Sequence, residues 1–269
     1  MTTELIEVTV SDQTCRISCR ITGRRGSPAV LLVHGWGSSS DGMQPIQDWL
    51  DETCFVVNVD LPGHGATPPP PSAWGVEEHA TAVRQIINHY FDDSFSYVGH
   101  SNGGRIGLFL ASESDPPSGL VRLILISPSG IRRQRTATFY LRRGISSALR
   151  APFQFLPSRL REFGLDWLRH SLVWKALGST DYRRLEGVMR EVFVRTVNCY
   201  LEDRLANISV PVLIFYGADD SAVTILQMQT LIDDIQDAGL VVVEDAGHFS
   251  HLDRPDIVRA GLIQFLEPA

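Results

Sequence analysis

The run Gly99-His100-Ser101-Asn102-Gly103 sets a serine between two glycines, after the strand-like Phe95 to Val98 and before Arg105 to Ala111, a stretch of small and apolar residues that reads as a helix. A serine at such a strand-to-helix turn is held in a strained backbone conformation, and the flanking glycines allow strand and helix to close around it. Helix amides behind it would put the positive end of a helix dipole beside any negative charge that develops there. The chemistry that suits this arrangement is nucleophilic attack, and a hydroxyl needs a base for that at neutral pH. Two histidines near the carboxyl end of the chain compete for the role, His248 and His251, and Gly247 frees the loop to swing His248 inward. Such a base needs a carboxylate to fix its tautomer. Asp219 and Asp220, which follow an apolar run ending at Tyr216, are the candidates. A glycine-rich loop, His34-Gly35-Trp36-Gly37-Ser38-Ser39, could bring backbone amides to the same ligand.

The surrounding pattern supplies elements to hold these groups. Leu5 to Val10 and Thr14 to Ile21 alternate apolar and polar residues around Ser11-Asp12-Gln13, as a hairpin at a sheet edge does. Ala29 to Val33, Phe55 to Asp60, Val121 to Ile126 and Pro211 to Tyr216 are apolar runs of the kind found in strands covered on both faces. Between and after them, helices are expected at Met43 to Leu50, Val76 to Tyr90, around Ile225 to Ile235 and at Arg254 to Leu266, with a further strand at Leu240 to Val243. Strands alternating with helices predict a doubly wound, mostly parallel α/β sheet with helices on both faces.

From Ser129 to Ala206 the strand-like runs stop. This segment carries fifteen basic residues against seven acids, whereas the remainder carries nine against 24, so a cationic insertion interrupts an anionic core. Within it Pro157 to Leu177 and Asp181 to Leu201 read as helices, the second burying Leu185, Val188, Met189, Val192, Thr196 and Tyr200. The domain reading is a core of residues 1–128, an insertion of 129–206 and a second part of the core from 207 to 269.

With 43% hydrophobic and 20% charged residues the composition is that of a globular protein. Met1 to Val10 has neither a basic stretch nor an apolar core of the signal-peptide type, and no apolar run reaches the roughly 18 residues of a membrane span. The expectation is a soluble cytoplasmic protein without stable membrane insertion. A net charge of −7, with no basic run longer than Arg132-Arg133-Gln134-Arg135, argues against nucleic-acid binding. The eight histidines form no HExxH, and the four cysteines, Cys15, Cys19, Cys54 and Cys199, form no CxxC, so buried reduced thiols and no metal site are expected. With neither a phosphate loop nor a dinucleotide fingerprint, no cofactor is expected; the partner is a small-molecule substrate and water, and the sequence leaves the oligomeric state open.

Taken together, His34-Gly35-Trp36-Gly37, Gly99-His100-Ser101-Asn102-Gly103, Gly217-Ala218-Asp219-Asp220 and Gly247-His248 occur in an order that resembles the α/β-hydrolase family over essentially the whole chain. The resemblance implies Ser101 as nucleophile and His248 as base, the latter because Gly-His is followed by Asp253-Arg254-Pro255. The family's Gly-x-x-Asp spacing selects Asp220 over Asp219, and Ile126 to Gly130 offers no acid at the alternative position. Backbone amides of Trp36 and Asn102 would hold a tetrahedral oxyanion. Asn102 departs from the bulky apolar residue more usual after the serine. His34, Asp60, His64 and His251 are read as structural.

In this family the insertion is a helical lid, and Phe139, Tyr140, Phe153, Phe155, Trp167 and Trp174 give it apolar surface suited to an apolar or aromatic substrate. The resemblance therefore implies a lidded serine hydrolase with a Ser-Asp-His triad, acting on a carboxylic ester, thioester or lactone through an acyl-enzyme. A carbon-carbon bond hydrolase of ring-fission products is the alternative, although such enzymes tend to carry Asn where this chain has His100. A catalytically idle binding protein is a third reading; loss of a triad member would mark it, and none is missing.

Overall fold

The computed structural model describes residues 1–133 and 185–267. Those residues fall almost wholly in one compact unit, Met1–Arg133 together with Gly187–Ala269. This unit takes in residues 129–133 and 187–206, which the sequence pattern had assigned to the insertion. The expected helix at Pro157 to Leu177, the six aromatic residues from Phe139 to Trp174 and most of the arginines of the insertion lie outside the described residues.

An eight-stranded sheet runs through the unit in the order β1-β2-β4-β3-β5-β6-β7-β8. β1 (Thr2–Val10) and β2 (Gln13–Thr22) form the antiparallel hairpin read from their alternation, and β2 pairs antiparallel with β4 (Phe55–Val59). From there β3 (Ala29–Val33), β5 (Phe95–His100), β6 (Leu120–Ile126), β7 (Val212–Gly217) and β8 (Ala238–Val243) continue the sheet in parallel. Strand residues alternate between two cores, as a period of two requires. Leu31, Val33, Val57, Tyr97 and Leu123 meet α2 (Val76–Tyr90) and α3 (Asn102–Ala111) on one face. Val30, Leu32, Val56, Val98 and Ile124 meet α1 (Ser40–Leu50) and the closing helix (Pro255–Leu266) on the other.

Several boundaries differ from the sequence reading, among them the starts of β1 at Thr2, α3 at Asn102 and β8 at Ala238; two of the differences have a local cause. α1 starts three residues earlier than Met43, because the Ser39 hydroxyl accepts from the Asp41 amide at 3.2 Å and caps the helix. α4 spans Gly187–Val197 and stops short of Leu201: the Leu201 amide donates to the Gly130 carbonyl at 3.0 Å instead of continuing the helix. Of the six residues expected on its inner face, Val192 and Thr196 are buried, while Leu185, Val188, Met189 and Tyr200 are only half-buried. Arg105 on α3 holds this helix through a bond from its guanidinium to the Thr196 carbonyl. α5 (Ile225–Asp234), α6 (Ser250–Asp253) and α7, the closing helix, complete the unit.

The four cysteines are free, with Cys15, Cys19 and Cys54 buried. Among the described residues no helix is long and apolar enough to cross a membrane, and no group of three or more His, Cys, Asp or Glu side chains is placed to hold a metal ion.

Candidate active site

Register brings the carboxyl ends of the parallel strands together. Val33 pairs with Gly99, His100 with Ile126, Ile126 with Phe215, and Gly217 with Val243, so the loops after β3, β5, β7 and β8 leave the sheet along one edge. Open α/β sheets place their sites along this edge.

Ser101 sits between β5 and α3 with φ +50° and ψ −107°, a conformation that non-glycine residues rarely adopt. Three backbone bonds hold it there. Its amide donates to the Ile126 carbonyl at 2.9 Å, and its carbonyl accepts from Arg105 at 3.1 Å and from Ser129 at 3.0 Å. Close packing explains the neighbouring glycine. A β-carbon on Gly103 would stand 2.1 Å from the Val33 carbonyl oxygen, and the Tyr97 hydroxyl donates to the Gly103 carbonyl at 2.7 Å.

The loop after β3 turns at Gly35 to Ser38, closed by a 3.2 Å bond from the Ser38 amide to the Gly35 carbonyl, with Gly37 at φ +71°. It passes directly over the serine: a β-carbon on Gly35 would lie 2.9 Å from the Ser101 β-carbon. His34 anchors it. Its Nδ1 donates to the Gly35 carbonyl at 2.7 Å, and its Nε2 accepts from the Leu61 amide at 2.9 Å. Burial pushes this imidazole down to about 4, so both bonds are made by one neutral tautomer. The amides of Trp36 and Asn102 donate to no backbone carbonyl among the described residues. Asn102, as the first residue of α3, has no partner four residues back within the helix. The Trp36 ring packs edge-on to His64 at 5.0 Å and to Phe193 of α4 at 5.1 Å.

His248 and Asp220 meet. The Nδ1 of His248 lies 2.8 Å from Asp220 Oδ2, with the Asp220 side chain fully buried and that of His248 19% exposed. The other oxygen, Oδ1, accepts from the amides of Ala222 at 2.7 Å and Val223 at 3.1 Å. Burial alone would raise this carboxyl, but the bond and charge of His248 and the Val223 amide outweigh it and leave Asp220 below its ordinary value. It is therefore a carboxylate throughout the neutral range. Asp219 is exposed and joins the loop only through its backbone, its amide donating to the Ala246 carbonyl at 2.9 Å. His251 is 1% exposed, and its Nε2 bonds the Gly42 carbonyl at 3.0 Å, away from Asp220. Asp60 caps two backbone amides, Ser40 at 2.7 Å and Ala66 at 3.0 Å.

One neighbour escaped the sequence reading as more than a marker of reaction type. His100, buried beside the serine, bonds the backbone carbonyl of His248 through Nε2 at 2.9 Å, and the two rings lie 4.9 Å apart. No sequence signal links residues 148 positions apart.

A family model described as alpha/beta hydrolase fold matches residues 28–255. Monoacylglycerol lipase ABHD6 of Mus musculus is 24% identical to this chain over 262 residues, covering 91% of the chain and 77% of the lipase. Among solved structures, the esterase EaEST from Exiguobacterium antarcticum superposes with a TM-score of 0.72 at 18% identity, covering 97% of this chain and 99% of its own. The enol-lactonase from Burkholderia xenovorans LB400 superposes with a TM-score of 0.70 at 21% identity, covering 97% and 99%. At these identities the structural likeness shows the shared fold.

Proposed function

The chain belongs to the alpha/beta hydrolase fold family, and from that premise we propose that it is a serine hydrolase cleaving carboxylic esters, thioesters or lactones of small to medium, apolar or aromatic character. In this reading Ser101 is the nucleophile, His248 the base and Asp220 the acid. The observation that carries it is the buried 2.8 Å contact between His248 Nδ1 and Asp220 Oδ2, made at the same sheet edge as a strained serine at a helix N-terminus.

With Asp220 ionised and accepting at Nδ1–H, Nε2 of His248 is left as the acceptor for the Ser101 proton. Attack on the acyl carbon forms a bond from Ser101 Oγ and places the carbonyl electrons on oxygen, where the amides of Trp36 and Asn102 would stabilise them. Two such donors in a dry site are worth several kcal/mol of barrier. Collapse returns the His248 proton to the departing alkoxide or thiolate. Water, deprotonated by the same imidazole, then releases the acid and regenerates Ser101. His100 supports a carbon-heteroatom bond over the carbon-carbon alternative, which tends to come with Asn at that position. The relatives named above, a monoacylglycerol lipase, an esterase and an enol-lactonase, act on acyl-oxygen bonds by their names, in line with this choice.

The test is hydrolysis of short and medium p-nitrophenyl esters by the wild type beside Ser101→Ala, together with labelling by a fluorophosphonate probe. Loss of about four to six orders of magnitude in turnover and loss of labelling are expected for the variant. Equal activity in the two proteins would remove Ser101 from the reaction.

A further inference from the structure

We propose that His100 and Asp253 are positioning residues that grip the backbone on either side of the His248 α-carbon and hold the imidazole in line with Ser101. This inference rests on the serine-hydrolase reading above and concerns what aims its base.

Asp220 gives the His248 ring one hydrogen bond, at Nδ1, and one bond does not fix where the ring sits. The ring rides on a loop that begins after β8 with Glu244 and Asp245 and continues through Gly247, a residue without a side chain to pack. Phe249, immediately after the histidine, is 41% exposed, so burial does little to anchor that side. What holds the loop is a set of bonds to its peptide groups. The Ala246 carbonyl accepts from Asp219 at 2.9 Å. The Gly247 amide donates to Asp253 Oδ2 at 2.8 Å, and the His248 carbonyl accepts from His100 at 2.9 Å. The last two bracket His248 directly.

The His100 bond has a particular geometry. His100 precedes Ser101 on the same backbone, so a bond from its ring to the His248 carbonyl ties the chain of the nucleophile to the chain of the base. Its ring packs on those of His248 at 4.9 Å, Phe249 at 4.8 Å and His251 at 5.2 Å. A carbonyl can only accept, so Nε2 carries the proton. Burial, followed by the neighbouring His251 and His248 rings, holds His100 well below its ordinary value, which keeps it neutral with that single N–H committed to the bond. Asp253 acts from the other side. It lies at the end of α6, a turn that His251 fastens to α1 through the Gly42 carbonyl, so its carboxylate is presented by an anchored element. This gives a physical role to the acid that follows Gly247-His248 by five residues in the sequence.

A displacement of about 1 Å in a reacting group can cost on the order of 100-fold in rate. His100→Leu and Asp253→Ala, each removing one grip, are expected to lower kcat on a p-nitrophenyl ester by about 10- to 100-fold with KM unchanged. His100→Gln, which can still donate at similar reach, and Asp253→Asn, which can still accept from Gly247, are expected to recover most of the loss. Because Asp253 is exposed, its variants test the grip even if the buried His100→Leu folds poorly. Full kcat in both disruptive variants, or equal losses in the conservative ones, overturns the proposal. If the wild type instead proves inactive and unlabelled, the reading of function fails and the grip is judged by proton NMR. The His248 Nδ1–H resonance, identified by its absence in His248→Gln, is expected to be sharp and far downfield in the wild type. Broadening in His100→Leu and Asp253→Ala supports the grip, and an unchanged line overturns it.

Discussion

Asp220 turns one carboxylate oxygen to His248 at 2.8 Å while its other oxygen is held by the amides of Ala222 and Val223. Both oxygens are thus engaged, and the adjacent Asp219, exposed and joined through its backbone amide, could not take over without rebuilding the turn. Asp220→Asn keeps the shape of the side chain but can present an N–H to Nδ1, which favours the wrong imidazole tautomer. Ester turnover is expected to fall by about 10³- to 10⁴-fold. Asp219→Asn should stay within about threefold of wild type, a surface change with no bond to lose. Steady-state kinetics on the pair decides between the two aspartates.

Much of this pairing is legible in the sequence. Apolar runs such as Ala29 to Val33 and Val212 to Tyr216 mark strands because a strand covered on both faces is built mainly from apolar residues, and the motifs fall at the ends of such runs. What stayed hidden involves long-range contacts between side chain and backbone. The bonds between His34 and the Leu61 amide and between His100 and the His248 carbonyl depend on how loops fold back, and a lone histidine in a sequence carries no sign of which backbone group it will meet. The end of α4 was misplaced for a related reason. The run of helix-compatible residues continues to Leu201, but the chain turns at Cys199, whose amide bonds the Thr196 carbonyl, and the Leu201 amide goes to the Gly130 carbonyl, a partner more than 70 residues away.

Gly103→Ala tests the elbow by size alone. The added methyl would fall 2.1 Å from the Val33 carbonyl oxygen, a backbone atom of a central strand that pairs on both sides. Relief requires moving β3 or α3, and a stability loss of about 3 kcal/mol or more is expected, read by urea unfolding. Gly26→Ala is the control for adding a methyl group, because the space around that residue is open; with its φ of +92° it should cost only the smaller penalty of backbone strain. Similar losses in the two variants would show that crowding at the elbow is not the cause.

Asn102 presents a different kind of test. It is 4% exposed, and its Oδ1 is buried without a hydrogen-bond partner. An unpaired buried acceptor costs roughly 1–3 kcal/mol. Asn102→Leu, close in size, removes that cost while keeping the backbone amide assigned to the oxyanion. The expected outcome is a gain of about 1 kcal/mol in urea unfolding with kcat within tenfold of wild type. A loss of stability would mean that water pairs with Oδ1, and a large fall in kcat would give the side chain a part in binding substrate.

Stability should fall as the solution is acidified, and buried histidines set the window. His34, His79 and His251 are each pushed by burial from the ordinary 6.5 down to about 4. Each is neutral when folded and takes up a proton on unfolding at any pH between those two values. The unfolded state then binds more protons, so the stability that these groups confer is intact above about pH 6.5, declines as pH falls towards 4, and levels off below that. Each accounts for up to about 3 kcal/mol across the window. His79 allows this to be checked apart from the chemistry: it lies on α2, donates to the Gly75 carbonyl at 2.6 Å and packs edge-on to Trp74 at 5.8 Å. His79→Gln can keep a donor without a titrating group. Urea unfolding at several pH values between 4.5 and 6 should give a slope of stability against pH shallower by about 1.2 kcal/mol per unit in the variant. An unchanged slope would mean that His79 exchanges no proton on unfolding in this range, and the acid sensitivity would have to come from elsewhere.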